Sequence, residues 1–346
     1  DVILTIDLAY QAVAEEELRR GVEAHRADGG LVVMLHPATG EILALAIAPS
    51  VNPNVPNSFD PGRARNRVVT DTFEPGSLFK IVTATAAYEH RLVLPSTRFN
   101  AENGEYRVRV RGTSYRVIRD SHKYTALTFQ EAVEHSSNIV MAKVGERIGA
   151  QLLYRTARDY GFGTPTGIEF PGEVGGKLKR PRDWSRTTLH TLAYGYEVSV
   201  TPIQIAAAYA AVADKGILRK PFVVAQIRDS RGTILGGERP QVVRKVFQES
   251  TAELLTAALE GVVQRGTGSE VRTEGLRIAG KTGTARRVQE GRYLAGSYTA
   301  SFAGFFPADN PQVVCVVMID NPRARGYYGG MTAAPVFRSI AHRIVQ

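Results

Sequence analysis

Strand-like apolar runs lie at both ends of this 346-residue chain, and helical periodicity fills the middle. That distribution limits the fold more than any other feature. Near the N-terminus, 31–35 and 41–48 are short apolar runs joined by His36-Pro37-Ala38-Thr39-Gly40, which reads as a hairpin with a Pro/Gly turn. Near the C-terminus, 276–284, 297–306 and 312–320 are strand-like and separated by turns. The economical packing pairs the hairpin with these three strands. The expected fold class is therefore α/β: a central five-stranded antiparallel sheet flanked by helices, plus an all-helical lobe. One domain would span 1–346, with a sheet lobe from about 1–50 and 270–346 and a helical lobe with insertions from about 68–265.

Between the ends, Leu8, Ala12, Leu18 and Val22 recur near helical spacing, predicting a helix over 5–26 that Gly29-Gly30 ends. Residues 52–67 are rich in Asn and Pro and read as a loop. Alternation at Tyr106, Val108, Val110, Tyr115 and Val117 predicts an exposed β-hairpin within 98–124. Thr128-x-x-Glu131 is a capping-box pattern opening a helix that ends near His135, followed by helices over 139–149 and 151–160. Residues 163–186 read as Gly/Pro-rich loop. Thr201-Pro202 caps a helix over 203–214, and Ser250-x-x-Glu253 opens another to about 264. Peripheral strands are expected at 222–227 and 242–246, a basic, aromatic loop at 286–298 that either gates a site beside it or is simply mobile and exposed, and a final helix at 332–345.

Three short patterns stand out for chemistry. In Glu74-Pro75-Gly76-Ser77-Leu78-Phe79-Lys80 a loop enters a helix that runs to about 91, Pro75 suiting its first positions. Ser77 and Lys80 fall on one face, with Cβ atoms roughly 5–6 Å apart. A serine hydroxyl is a weak nucleophile until a base takes its proton. A free lysine must be lowered by about 3 pH units, or roughly 4 kcal/mol, to be neutral at pH 7, and burial or a second cation does this. The helix start also offers backbone N–H groups to an oxyanion. An ordinary helix start with a solvated lysine has the same spacing.

Ser136-Ser137-Asn138 lies between two expected helices and offers a relay hydroxyl and a two-way amide, or simply a helix cap. Lys281-Thr282-Gly283-Thr284 lies in an expected strand whose ammonium and hydroxyls could grip a carboxylate, with Gly283 allowing close approach to the backbone. A strand entering a turn would look the same.

Composition excludes several classes. No apolar run approaches the roughly 18 residues of a membrane span, and the seven histidines show no metal spacing, so neither metal nor cofactor is expected. Cys315, the one cysteine, sits in an apolar run and reads as a buried structural thiol. The net charge of +9 is densest at 107–119, 177–186 and 286–292. No nucleic-acid motif accompanies it, so it reads as a field favouring anionic surroundings or as a plain solvated basic surface.

In order and context, the three patterns match the S-x-x-K, S-x-N and K-T-G set of penicillin-binding proteins and serine β-lactamases. The chain resembles the transpeptidase domain of class B penicillin-binding proteins over nearly its whole length. Asn66-Arg67-Val68-Val69-Thr70-Asp71-Thr72-Phe73, the run from Gly195 to Gln204, and Tyr327-Tyr328-Gly329-Gly330 carry the resemblance further. Phe73-Glu74-Pro75-Gly76 and Val200-Thr201-Pro202 look more like the division-type branch. Ser137 departs from the Asp usual in β-lactamases, and no clear Glu-x-x-x-Asn for a deacylating water is found. Family members usually carry an N-terminal membrane helix and a pedestal domain, so this chain reads as a catalytic fragment of an anchored, extracytoplasmic protein.

The resemblance implies that Ser77 attacks the penultimate carbonyl of a peptidoglycan stem peptide ending in D-Ala-D-Ala, with neutral Lys80 taking its proton. Backbone N–H groups of Ser77 and Thr284 would hold the oxyanion. Ser136, assisted by Lys281, would protonate the leaving D-Ala. Lys281, Thr282 and Thr284 would bind the terminal carboxylate, and Asn138 would bond the peptide amide and steady Lys80. A neighbouring amine would complete the cross-link, and β-lactams would acylate Ser77 and leave slowly. Implied partners are stem peptides, β-lactams, a membrane glycan polymerase and division proteins. A D,D-carboxypeptidase, a β-lactamase-like hydrolase or a penicillin sensor are the alternatives. His90 lies roughly 20 Å from Ser77 along a straight helix, whereas His122 and His135 stay open as bases.

Overall fold

The computed structural model describes residues 1–52, 54–55, 60–111, 114–289 and 292–346. Parts of the expected loop at 52–67, and the tips of the hairpins within 98–124 and 286–298, lie outside the described residues. The central sheet is the one expected. Its strands are β1 (Gly29–Leu35), β2 (Ile42–Ala48), β3 (Ala279–Gln289), β4 (Arg292–Phe306) and β5 (Val313–Asp320), in the order β3-β4-β5-β1-β2. Every pairing is antiparallel.

Both faces of this sheet are covered, which explains the unbroken apolar run of β5. Val314, Val316 and Met318 point into one core, with Leu31 and Val33 of β1 and the Pro202–Ala213 helix. Cys315, Val317 and Ile319 point into the other, with the Leu8–Ala24 and Ala333–Val345 helices. Each fully buried Val or Ile stabilises the fold by roughly 1.5–3 kcal/mol relative to exposure. Burial also pushes the Cys315 thiol far above its usual range, so it is the inert structural thiol expected.

Helix starts follow local chemistry. Thr128 and Glu131 form the expected reciprocal capping box, and Thr201 and Gln204 form another around Pro202. Several expectations need correction. The expected loop at 52–67 holds a short helix, Pro61–Ala64, and that at 163–186 holds the strand Lys177–Leu178, paired with Val198–Ser199, and a 3-10 turn at Pro181–Asp183. Gly29-Gly30 does not end the first helix; Ala24 does, and the glycines open β1. Ser250 does not cap its helix. That helix begins at Glu249, and the Glu89 carboxylate accepts the Gln248 N–H and the Thr251 hydroxyl instead, a tertiary cap invisible to local pattern. Finally, described residues 286–289 and 292–298 are not loop. They are the paired ends of β3 and β4, and Tyr293 donates to Glu74 at 2.9 Å. A short strand, Val2–Leu4, was not expected; it pairs with Val224–Arg228.

Candidate active site

Gly76–Phe79 form a 3-10 turn that runs directly into the Lys80–Glu89 helix. Residues three apart eclipse in such a turn, so Ser77 and Lys80 stack on one side, and the Lys80 N–H closes onto the Ser77 carbonyl. From Lys80 to Tyr88 the helix is buried. Its packing therefore fixes the lysine in the core beneath the serine, with only 1 % of its surface exposed.

The Lys80 amine donates to the Ser136 carbonyl at 2.6 Å, the Ser136 hydroxyl at 3.0 Å and the Asn138 side-chain oxygen at 2.8 Å. The Ser136 hydroxyl in turn donates to Ser77 Oγ at 2.9 Å. So the first and second motifs meet in one hydrogen-bonded chain. Burial brings the Lys80 pKa down to about 7, opposed by the nearby Asp120 carboxylate. A neutral amine has two N–H donors and one lone pair. The two carbonyl oxygens take the donors, which leaves the lone pair for the Ser136 O–H, a hydroxyl free to rotate. Among the described residues, no hydrogen bond joins Lys80 directly to Ser77, nor His122 or His135 to it.

The third motif lies on β3, an edge strand, against the nucleophile turn. A Cβ on Gly283 would come 2.9 Å from Leu78 Cγ and 2.4 Å from Ser301 Oγ, so the absence of a side chain is what lets strand and turn touch. Lys281 is fully buried, and burial first, then the Lys80 amine, holds its pKa well below the usual value. Among the described residues its amine makes one hydrogen bond, a long 3.4 Å donation to the Thr282 carbonyl. Among the described residues no hydrogen bond joins Lys281 to Ser136, the contact that the expected assistance would use. Thr282 Oγ1 lies 2.7 Å from Thr267 Oγ1, and Thr284 Oγ1 accepts the Gly329 N–H at 3.0 Å. Asn138 is also committed: its Nδ2 donates to the Arg119 carbonyl at 3.0 Å while its oxygen faces Lys80.

Sequence reasoning missed Asp120, Thr267 and the role of Gly329. Asp120 accepts from the Ser137 hydroxyl at 2.5 Å and from the Asn138 and Ile139 N–H groups at 2.6 and 3.1 Å. No local pattern marks a carboxylate that returns from a hairpin, though the Gly329-Gly330 pair was a visible signal of close approach. A Cβ on Gly329 would lie 2.4 Å from the Gly283 carbonyl oxygen. Among the described residues no cluster of His, Cys, Asp and Glu could hold a metal, and no helix is long and apolar enough to cross a membrane.

The fold and the site together define a class: α/β proteins that set a Ser-x-x-Lys turn and a hydroxyl relay against the edge of an antiparallel sheet. The chain belongs to the penicillin-binding protein transpeptidase domain family, whose model matches residues 30–342. It is 36% identical over 341 residues to the probable peptidoglycan D,D-transpeptidase PenA of Neisseria gonorrhoeae, covering 98% of this chain and 56% of that protein. To the stage V sporulation protein D of Bacillus subtilis it is 37% identical over 344 residues, covering 98% and 52%. To the peptidoglycan D,D-transpeptidase FtsI of Escherichia coli it is 34% identical over 342 residues, covering 98% and 55%. The chain thus spans about half the length of these relatives. Among solved structures, penicillin-binding protein 3 of Mycobacterium tuberculosis complexed with aztreonam matches with a TM-score of 0.89 at 31% identity, covering 100% of this chain and 78% of that one. The transpeptidase domain of Burkholderia pseudomallei penicillin-binding protein 3 matches with 0.85 at 30%, covering 99% and 95%.

Proposed function

We propose that residues 1–346 act as one peptidoglycan D,D-transpeptidase unit that cross-links stem peptides through an acyl-enzyme on Ser77. The observation that carries this reading is the buried Lys80 amine, brought to about pH 7 and linked to Ser77 through the Ser136 hydroxyl. Ser77 Oγ attacks the penultimate carbonyl of a D-Ala-D-Ala terminus. Its proton passes to Ser136 while the Ser136 proton passes to Lys80, a relayed route in place of direct transfer. The first N–H groups of the turn lack intrahelical partners, so the Ser77 N–H, with that of Thr284 on the adjacent strand, serves the developing oxyanion.

Collapse of the tetrahedral intermediate returns the proton through Ser136 to the departing D-Ala amine. The substrate carboxylate is held by Lys281, Thr282 and Thr284, over Gly283. Its negative charge opposes the desolvation that favours neutral Lys281, so binding and protonation of that amine go together. Asn138 keeps Lys80 in place and offers its remaining oxygen lone pair to the peptide. An acceptor amine then attacks the acyl-enzyme and releases Ser77.

β-Lactams acylate the same serine, in line with a relative solved with aztreonam and another complex with ampicillin. The likeness to FtsI supports a role in division. That role implies an extracytoplasmic site anchored in the membrane, beside a glycan polymerase and division proteins.

A fluorescent penicillin should label the protein one to one, with the adduct mapped by intact and peptide mass to the Ser77 segment. Ser77→Ala should abolish it; labelling that survives removes Ser77 as the nucleophile. Release of the drug within seconds, or D-Ala release that ignores an added amine acceptor, would make the protein a hydrolase instead.

A further inference from the structure

We propose that Asp120 is the positioning residue of the second motif: its carboxylate holds the Ser136–Asn138 turn in the one shape from which both residues reach the Lys80 amine. The inference rests on the acyl-transfer reading above. Asp120 follows the strand Ser114–Arg119, 16 residues before Ser136, and it returns to the start of the Asn138–Ile148 helix. One oxygen accepts the Asn138 and Ile139 N–H groups and the other accepts the Ser137 hydroxyl. The neighbouring Arg119 carbonyl takes the Asn138 amide nitrogen. Two adjacent residues of one hairpin therefore fix the Ser137 side chain, the helix start that follows it and the Asn138 side chain.

The turn needs such a hold. Ser136 has φ +60°, a left-handed conformation that a residue with a Cβ adopts at a cost. It persists where the surroundings over-determine it. In this conformation the Ser136 carbonyl and hydroxyl both face Lys80. A carboxylate at a helix start is also favoured electrostatically.

Asp120 acts on the amine as well as on the turn. Burial favours the neutral Lys80 amine, and the Asp120 carboxylate from the hairpin opposes it. Lys281 on β3 is the other ionisable amine nearby, and its own pKa is lowered first by burial and then by Lys80. The carboxylate thus moves the acid limb of acylation to higher pH than burial alone would place it, while it shapes the site, and these two effects separate experimentally.

The test is the second-order rate of Ser77 acylation by a fluorescent penicillin between about pH 5 and 9, with thermal unfolding measured alongside. Asp120→Asn keeps the shape and removes the charge. It should lower the rate on the alkaline plateau by about tenfold, because the turn loosens, yet move the acid limb to lower pH by about half a unit or more. A residue that only supports the fold would lower the amplitude and leave the limb where it was, and that result overturns the proposal. Should Asp120→Asn fail to fold, Ser137→Ala decides. It removes one contact to Asp120, together with the cap that the same hydroxyl makes to the Val140 N–H, and keeps the charge. The plateau should fall by more than in Val140-side controls of equal stability loss, with the limb unmoved, and an unchanged plateau overturns the proposal. If wild-type protein is not acylated at Ser77 at all, the acyl-transfer reading fails, a result distinct from either.

Discussion

Gly195 lies against Gly76 so closely that a Cβ on Gly195 would sit 1.9 Å from the Gly76 carbonyl oxygen. The Gly76 N–H also donates to the Gly195 carbonyl at 3.0 Å. Gly76 and Gly195 both have positive φ. The residue before the nucleophile is thus seated on a second glycine 119 positions away.

Gly195→Ala should therefore damage the site without touching a reacting atom. The left-handed backbone alone costs an alanine roughly 1–2 kcal/mol, and the overlap with the Gly76 carbonyl forces the turn to move. Denaturant unfolding should show a loss of about 2 kcal/mol or more, and penicillin acylation should slow at least about tenfold. A variant with wild-type acylation would mean that the seat does not position Ser77.

The pH dependence of acylation follows from Lys80. The amine must be neutral to receive a proton, and its pKa is about 7. Above that value the rate should be flat; below it the rate should fall toward tenfold for each pH unit. Rapid-quench labelling across the range checks this. A limb below about pH 5, where a carboxylate would titrate, would remove Lys80 as the base.

Much of this site was legible in the sequence because its chemistry sits in short, ordered segments. Ser77 and Lys80 are fixed by one turn, and the sheet by apolar runs buried on both faces. What was not legible comes from distant chain returning. Asp120 meets Ser137 only because a hairpin folds back, and Glu89 caps a helix that begins 160 residues later. The 286–298 segment read as loop because its basic and polar residues alternate poorly. Its described residues, 286–289 and 292–298, are strand because β3 and β4 extend each other past the core, where pairing needs no buried face.

Tyr293 gives that extension a function to test. Its hydroxyl donates to Glu74, three residues before the nucleophile, and burial raises the Glu74 pKa. Tyr293→Phe removes one hydrogen bond, worth about 1 kcal/mol. Amide exchange in the described ends of the hairpin should quicken severalfold, while global unfolding stays within about 0.5 kcal/mol of wild type. Unchanged exchange would show that pairing within the hairpin alone holds it.

Lys281 offers the sharpest stability test. It is fully buried with a lowered pKa, so over the window from its folded value up to the unfolded value near 10.5 the unfolded chain binds more protons than the folded one. Stability must then rise with pH across that window, as the cost of burying an ammonium is relieved. Lys281→Met keeps the length and removes the charge. It should be as stable as wild type or more so at pH 7, show a shallower rise with pH, and lose carboxylate-dependent acylation. Lys281→Arg cannot shed its proton, so it should unfold about 3–5 kcal/mol more easily, the usual cost of an uncompensated buried charge. Urea unfolding of the three proteins at about pH 7 and 9 measures all of this. An arginine variant as stable as wild type would mean that water or a counter-ion reaches the amine, and the low pKa assigned to Lys281 would be wrong.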